Sequence, residues 1–172
     1  AVVVIHENRG LNAHIEDVVR RVAKAGYLAI APNALSSLGG TPENEDEART
    51  KFQELKAEDN LQNFIKVFDY LATRKDCNGK FGCVGFCWGG AMSNNLAVHV
   101  PSLKAAVPFY GRQPAVEDVP KIKAALQLHS QPQASSRRSS AGRWRAQRVL
   151  QPHRGGGEAG APGRPDDWSL HA

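Results

Sequence analysis

The stretch Gly85-Phe86-Cys87-Trp88-Gly89-Gly90 joins a short apolar run, residues 80–84, to a run of helical character, residues 91–100. A strand, a sharp turn and a helix, with a nucleophilic side chain between two glycines, form the nucleophile-elbow pattern G-x-S-x-G, here with Cys in place of Ser. The nucleophile of such a turn sits in a strained backbone conformation, so that its side chain projects from the edge of the sheet. The chain folds back sharply there, and Gly85 and Gly89 occupy the two positions that leave no room for a Cβ atom. The pattern predicts Cys87 as a nucleophile.

The position of Cys87 at the start of a helix strengthens this prediction. A helix N-terminus favours a thiolate, and the Trp88 N–H at the same place can donate to an oxyanion. The pattern alone also fits a purely structural turn, because glycine is common in this chain, 16 of 172 residues. Cys83 and Cys87 do not suggest a metal pair, since a buried strand residue and an elbow residue face different ways.

The rest of the chain alternates strand-like and helix-like segments. We expect strands at 1–5, 27–31, 80–84, 105–110 and 124–129, helices at 14–25, 43–74 (broken near 57–60) and 91–100, and a loop at 33–42. This alternation predicts a parallel sheet with right-handed crossovers, in which function lies at the carboxyl ends of the strands. Five polar or reactive residues fall at such ends: Glu7, Asn33, Cys87, Tyr110 and His129.

Length and composition fit one globular domain with a core of its own. Three cysteines argue against a disulfide scaffold and favour a reducing, cytoplasmic location. No apolar run approaches the 18 residues of a membrane span, and no signal peptide is visible. The chain begins at Ala1, already within an apolar strand, and its one methionine is Met92, so we expect that the natural start is missing.

Residues 131–172 differ in composition from residues 1–130. They hold seven of the 22 basic residues, all of them Arg, and only three acids, and Ser, Gly and Pro dominate the remainder. We expect this tail to form no packed unit of its own. A reading-frame shift after about residue 130 would explain it, and the segment would then not be native family sequence. Phosphate binding by the arginines is an alternative, but nucleic-acid binding is disfavoured because no Phe or Tyr is interleaved among them.

Residues 1–130 resemble the dienelactone hydrolases (carboxymethylenebutenolidases), through Val-Val-Val-Ile-His-Glu-Asn-Arg-Gly (2–10), Gly-Tyr-Leu-Ala-Ile-Ala-Pro (26–32) and Gly-Phe-Cys-Trp-Gly-Gly (85–90). The resemblance implies a three-layer α/β-hydrolase fold with a mostly parallel sheet, here incomplete at both ends. It also implies a Cys-His-Asp triad and hydrolysis of a small lactone or carboxylic ester without a metal or organic cofactor. The oligomeric state is left open.

The resemblance assigns roles to individual residues. Cys87 matches the nucleophile, and Glu7 matches a glutamate that holds the resting thiol until substrate arrives. Asn8 matches the position whose backbone N–H joins that of Trp88 in the oxyanion hole. Arg49 lies near an arginine that binds the carboxylate of the substrate.

Other family positions are not matched. The triad Asp should follow the strand that ends at His129, where the sequence continues Ser-Gln-Pro-Gln-Ala-Ser (130–135), and no late Gly-x-x-His-Gly-Phe loop supplies the triad His. His129 is the local candidate for a substitute base, although a structural role is favoured both for it and for His6. Tyr110 is expected at the rim of the substrate site. The chain is therefore interpreted as a hydrolase, with a non-catalytic relic of one as the alternative.

Overall fold

A computed structural model gives the fold of residues 1–130 and, as backbone only, of a strand at residues 145–150. The strands are β1 Val2–Ile5, β2 Ala29–Ile30, β3 Phe81–Phe86, β4 Leu103–Phe109, β5 Ala125–Ser130 and β6 Arg145–Leu150. The α-helices are α1 Ala13–Lys24, α2 Glu45–Gln53, α3 Ala57–Thr73 and α4 Trp88–His99, and 3₁₀ helices lie at Ala34–Leu38 and Val116–Lys121. No helix of this described part has the length and apolar character needed to cross a bilayer.

The six strands form one sheet in the order β2-β1-β3-β4-β5-β6. The first five run parallel, and β6 is antiparallel to β5. The register pairs Ile5 with Gly85 and Phe86 with Phe109. The carboxyl ends of β1, β3 and β4 therefore meet at one edge of the sheet, which confirms the predicted mostly parallel architecture.

Helices cover both faces of the sheet, as expected for a three-layer fold. On one face Ile15 and Val22 of α1 pack against Val4 and Val84. The other face carries the larger cluster, in which α3 and α4 pack on the sheet. Val3, Val4 and Ile5 of β1 are fully buried, which explains why this strand reads as a continuous β-branched run rather than an alternating one.

Three local predictions need correction. The segment predicted as a loop contains the 3₁₀ helix Ala34–Leu38, because the Asn33 side chain caps it by accepting a hydrogen bond from the Leu35 N–H at 3.0 Å. The break in the long helix falls between Gln53 and Ala57, slightly earlier than predicted. Only Ala29 and Ile30 of the predicted strand 27–31 pair with β1.

Strand β6 lies in the arginine-rich tail, where no strand is expected from the sequence. It pairs with β5 in a register that sets Leu126 opposite Leu150. Backbone hydrogen bonding to an otherwise open sheet edge explains a strand in a segment with few apolar residues. The rest of the tail lies outside the described residues, and its non-native origin stays a prediction.

Candidate active site

The turn between β3 and α4 has the geometry of a nucleophile elbow. Cys87 adopts φ 54° and ψ −111°, a conformation that residues with a Cβ rarely take. Its N–H donates to the Phe109 carbonyl at 3.0 Å, which anchors the turn to β4. The Cys87 side chain is exposed at the carboxyl edge of the sheet. A strained backbone that neighbouring contacts hold in place, with an exposed thiol, is the arrangement that the sequence pattern predicts.

The two flanking glycines are required by close backbone approach. A Cβ atom on Gly85 would lie 2.0 Å from the Gly89 carbonyl oxygen. A Cβ atom on Gly89 would lie 2.3 Å from the Ile5 carbonyl oxygen and 2.6 Å from that of His6. Helix α4 therefore starts directly against the ends of β1 and β3, which confirms the steric interpretation of G-x-C-x-G.

The other two cysteines lie in different environments. Cys83 is 2% exposed inside β3, and burial raises the pKa of its thiol to about 12, opposed by a hydrogen bond with Ser93. Cys77 is partly exposed in the turn before β3. Among the described residues, no group of three or more His, Cys, Asp or Glu side chains could hold a metal ion. Cys87 is thus the thiol that combines exposure with a helix N-terminus.

The start of α4 offers backbone donors beside Cys87. The first helical hydrogen bond runs from the Ala91 N–H to the Cys87 carbonyl at 3.1 Å. Trp88 is the first residue of α4, and the N–H groups of the first turn of a helix have no acceptor within the helix. Asn8 lies exposed in the loop that follows β1, and the contact of Gly89 with the end of β1 brings this loop next to the helix start. The two predicted oxyanion donors are therefore on adjoining segments.

Glu7 and Tyr110 meet across the site, although 103 positions separate them. The Tyr110 hydroxyl donates to Glu7 Oε1 at 3.0 Å. Burial, the hydrogen bond to Glu7 and the charges of Glu7 and Cys87 together raise the pKa of Tyr110 to about 12. Because Glu7 follows β1, Tyr110 follows β4 and Cys87 follows β3, which lies between those two strands, the three residues share one region of the sheet edge. Within residues 1–130, no hydrogen bond joins Glu7 to Cys87.

Tyr110 is also held in a strained conformation. Its φ is 41°, and its N–H donates to the His129 carbonyl at 2.6 Å. Nothing in the sequence around position 110 signals a positive φ at a tyrosine. The site thus contains two strained non-glycine residues, Cys87 and Tyr110, at the ends of neighbouring strands.

His129 and Arg49 lie in different settings. The His129 ring stacks on Phe109, with ring centres 4.2 Å apart, and burial lowers the pKa of its imidazole. Arg49 is exposed on α2 and pairs with Asp46 of the same helix at 3.0 Å. The structure places His129 at the strand ends near the elbow, whereas the contacts of Arg49 are local to its own helix.

His6 is expected from the sequence to have a structural role, and the structure gives it contacts with several segments of the site. It is fully buried at the end of β1. Its Nδ1 is 2.6 Å from the Glu7 carbonyl oxygen, and its Nε2 is 3.0 Å from the Ala34 N–H. Its ring stacks on that of Trp88, with centres 5.7 Å apart and planes inclined by 18°. In the sequence, the signal for His6 is its position as a polar residue directly after the apolar strand β1.

Comparison with known proteins identifies the family to which the chain is similar. The family model described as "Dienelactone hydrolase family" matches residues 1–136. A protein of Escherichia coli K12, "Putative hydrolase fragment YghX", is 66% identical over 55 residues, 32% of this chain and 47% of that protein. A "Putative carboxymethylenebutenolidase" of the same organism is 37% identical over 115 residues, 64% of this chain and 42% of that protein.

A solved structure shows the same fold. The crystal structure of a "Putative Dienelactone Hydrolase" from Klebsiella pneumoniae has a TM-score of 0.61 and 30% identity, and the match covers 74% of this chain and 58% of that one. The chain spans less than half the length of the two Escherichia coli proteins that it matches. With the family match over residues 1–136 and the elbow at the expected edge of the sheet, the chain belongs to the dienelactone hydrolase family.

Proposed function

We propose that this chain is a hydrolase of small lactones or carboxylic esters, with Cys87 as its nucleophile. The observation that carries the proposal is the exposed thiol of Cys87 on a strained strand–helix turn at the start of α4. The geometry suits acyl transfer, because a projecting nucleophile and helix N–H groups lie at the same point. Membership of a hydrolase family supports the same reaction class.

The reaction would proceed by two acyl transfers. The thiolate of Cys87 attacks the carbonyl carbon, and the carbonyl electron pair moves to oxygen, where the N–H groups of Trp88 and Asn8 stabilise the oxyanion. Collapse of this intermediate breaks the C–O bond, and the leaving alkoxide takes up a proton. Water then attacks the acyl-thioester, which releases the carboxylic acid and regenerates the thiol.

The proton transfers need a group beside Cys87, because an ordinary thiol is only a few per cent ionised near neutral pH. Glu7 is proposed to hold the resting thiol and to accept its proton, since its carboxylate lies in the same region as Cys87. His129 is proposed as a substitute base, because burial lowers its pKa and so favours a neutral imidazole. Arg49 and Tyr110 are proposed to contact the substrate, with the Arg49 guanidinium suited to a carboxylate.

A non-catalytic relic is the second candidate. Its support is that His129 is followed by Ser-Gln-Pro-Gln-Ala-Ser (130–135), a segment that contains no Asp. Loss of the triad histidine generally lowers the rate by orders of magnitude, while an oxyanion hole alone leaves roughly 10³-fold catalysis over water. A relic would accept an acyl group on Cys87 but would not turn over.

The test is hydrolysis of p-nitrophenyl acetate and of a dienelactone by the chain, by Cys87→Ala and by Cys83→Ala as the matched control. We expect weak turnover that Cys87→Ala abolishes and Cys83→Ala retains. Turnover that survives in Cys87→Ala would contradict the proposal. Acylation of Cys87 without turnover would favour the relic.

A further inference from the structure

We infer that His6 is a positioning residue for the oxyanion hole, holding the Glu7–Asn8 peptide group on one side and the Trp88 ring on the other. The inference rests on the proposed function, since it concerns the groups that would stabilise the oxyanion. It gives a role to a residue that neither attacks the substrate nor exchanges a proton with it.

The hydrogen bonds of His6 determine its protonation state. The Ala34 N–H can only donate, so Nε2, 3.0 Å away, must accept. The Glu7 carbonyl oxygen can only accept, so Nδ1, 2.6 Å away, must carry the proton. His6 is therefore the neutral Nδ1–H tautomer. Burial lowers the pKa of the imidazole in the same direction, opposed by the hydrogen bond to the Glu7 carbonyl.

The carbonyl that His6 binds belongs to the peptide unit that carries the Asn8 N–H. A peptide unit is planar and trans, so its C=O and N–H point in opposite directions. The Glu7 oxygen is held by Nδ1 at 2.6 Å and also accepts from the Gly10 N–H at 3.3 Å, so His6 makes the shorter of two contacts that set the direction of the Asn8 N–H. Donation to the carbonyl also polarises the unit and makes that N–H a stronger donor.

The other side of the hole is held by ring packing. Trp88 is the first residue of α4, and its indole lies against the His6 imidazole, with ring centres 5.7 Å apart. Phe52 and Phe64 contact the same indole edge-on, at 4.7 and 5.9 Å. The Trp88 ring is thus enclosed on several sides, and His6 is the neighbour that also binds the loop after β1.

His6 further ties the loop to β2. His6 accepts a hydrogen bond from the N–H of Ala34, which is the first residue of the 3₁₀ helix that follows β2. Three segments that follow β1, β2 and β3 are therefore joined through one imidazole. A residue that only filled space would need neither hydrogen bond.

The experiment compares two reactions of the same thiol in the full-length chain. Acylation of Cys87 by p-nitrophenyl acetate passes through an oxyanion, whereas alkylation by iodoacetamide at a saturated carbon does not. Both single-turnover rates are followed by mass spectrometry of the Cys87 peptide, and their ratio is compared with that of free cysteine. The ratio does not depend on the deacylation step, which a missing triad would impair.

Four variants separate positioning from packing. His6→Leu removes both hydrogen bonds, His6→Asn keeps a donor close to the place of Nδ1, and His6→Gln keeps an acceptor that reaches Ala34. Val22→Ala, on the opposite face of the sheet, is a destabilised control that does not touch the site. Thermal unfolding of each variant shows whether it folds.

We expect His6→Leu and His6→Gln to lower the acylation-to-alkylation ratio by about tenfold or more, because full loss of an oxyanion donor costs roughly 10²–10³-fold. His6→Asn and Val22→Ala should stay near the parent ratio. If His6→Leu does not fold, the contrast between His6→Asn and His6→Gln decides. The inference is overturned if these two give equal ratios or if Val22→Ala lowers the ratio as much. A parent ratio no higher than that of free cysteine would instead overturn the proposed function, and the inference with it.

Discussion

The substitution Gly85→Ala tests the steric basis of the elbow. The added Cβ atom would lie 2.0 Å from the Gly89 carbonyl oxygen and 2.6 Å from Ser93 Oγ, whereas ordinary contact begins at 3.4 Å. The Gly89 oxygen belongs to the backbone of α4 and cannot rotate away, so the start of the helix must move. Overpacking costs about 1–3 kcal/mol and occasionally more. We expect about 3 kcal/mol of lost stability here, or a fall in Tm of roughly 6–12 °C for a chain of this size.

Gly82→Ala in the same strand is the matched control. A Cβ atom there would meet its nearest neighbour, the Ala105 carbonyl oxygen, at 3.5 Å, which is ordinary contact. We expect little change in Tm, or a small gain, because alanine restricts the unfolded chain. Thermal unfolding followed by circular dichroism measures both variants. Equal melting temperatures for Gly82→Ala and Gly85→Ala would refute the claim that close approach requires Gly85.

Three further predictions concern the titratable groups of the site. Iodoacetamide should label Cys87 well before Cys83, because Cys83 is 2% exposed and the pKa of its thiol is raised to about 12. Mass spectrometry of the labelled peptides measures the order of labelling, and preferential labelling of Cys83 would contradict the assignment of the elbow to Cys87. Burial lowers the pKa of His6 from 6.5, so the stability that the neutral imidazole contributes is complete above that pH and falls as the pH drops below it. The free energy of urea unfolding, plotted against pH, should therefore lose its His6-dependent fall in His6→Gln. An identical pH dependence in the parent and the variant would contradict this prediction. Tyr110→Phe removes the hydrogen bond to Glu7 that joins the ends of β1 and β4, and the loss should lower the free energy of unfolding in urea by about 1 kcal/mol. The same substitution should cost less in a Glu7→Gln background, and an equal loss in both backgrounds would contradict the pairing.

Much of the fold could be predicted because its signals are local. The continuous β-branched run of β1 and the 3.6-residue spacing of apolar residues in α1 are patterns of neighbouring residues, which a chain shows without tertiary contacts. The glycines around Cys87 report a turn built from six consecutive residues. Burial of Cys83 and exposure of Cys87 follow from strand and elbow positions, and both are confirmed.

The sequence by itself therefore determined the parallel sheet, the elbow and its nucleophile candidate, because neighbouring residues encode them. Only the tertiary structure decided that Tyr110 has a positive φ and reaches Glu7, that His6 packs on Trp88, and that residues 145–150 pair with β5. These contacts join positions far apart in the chain. They depend on strand order and register, which local periodicity does not specify.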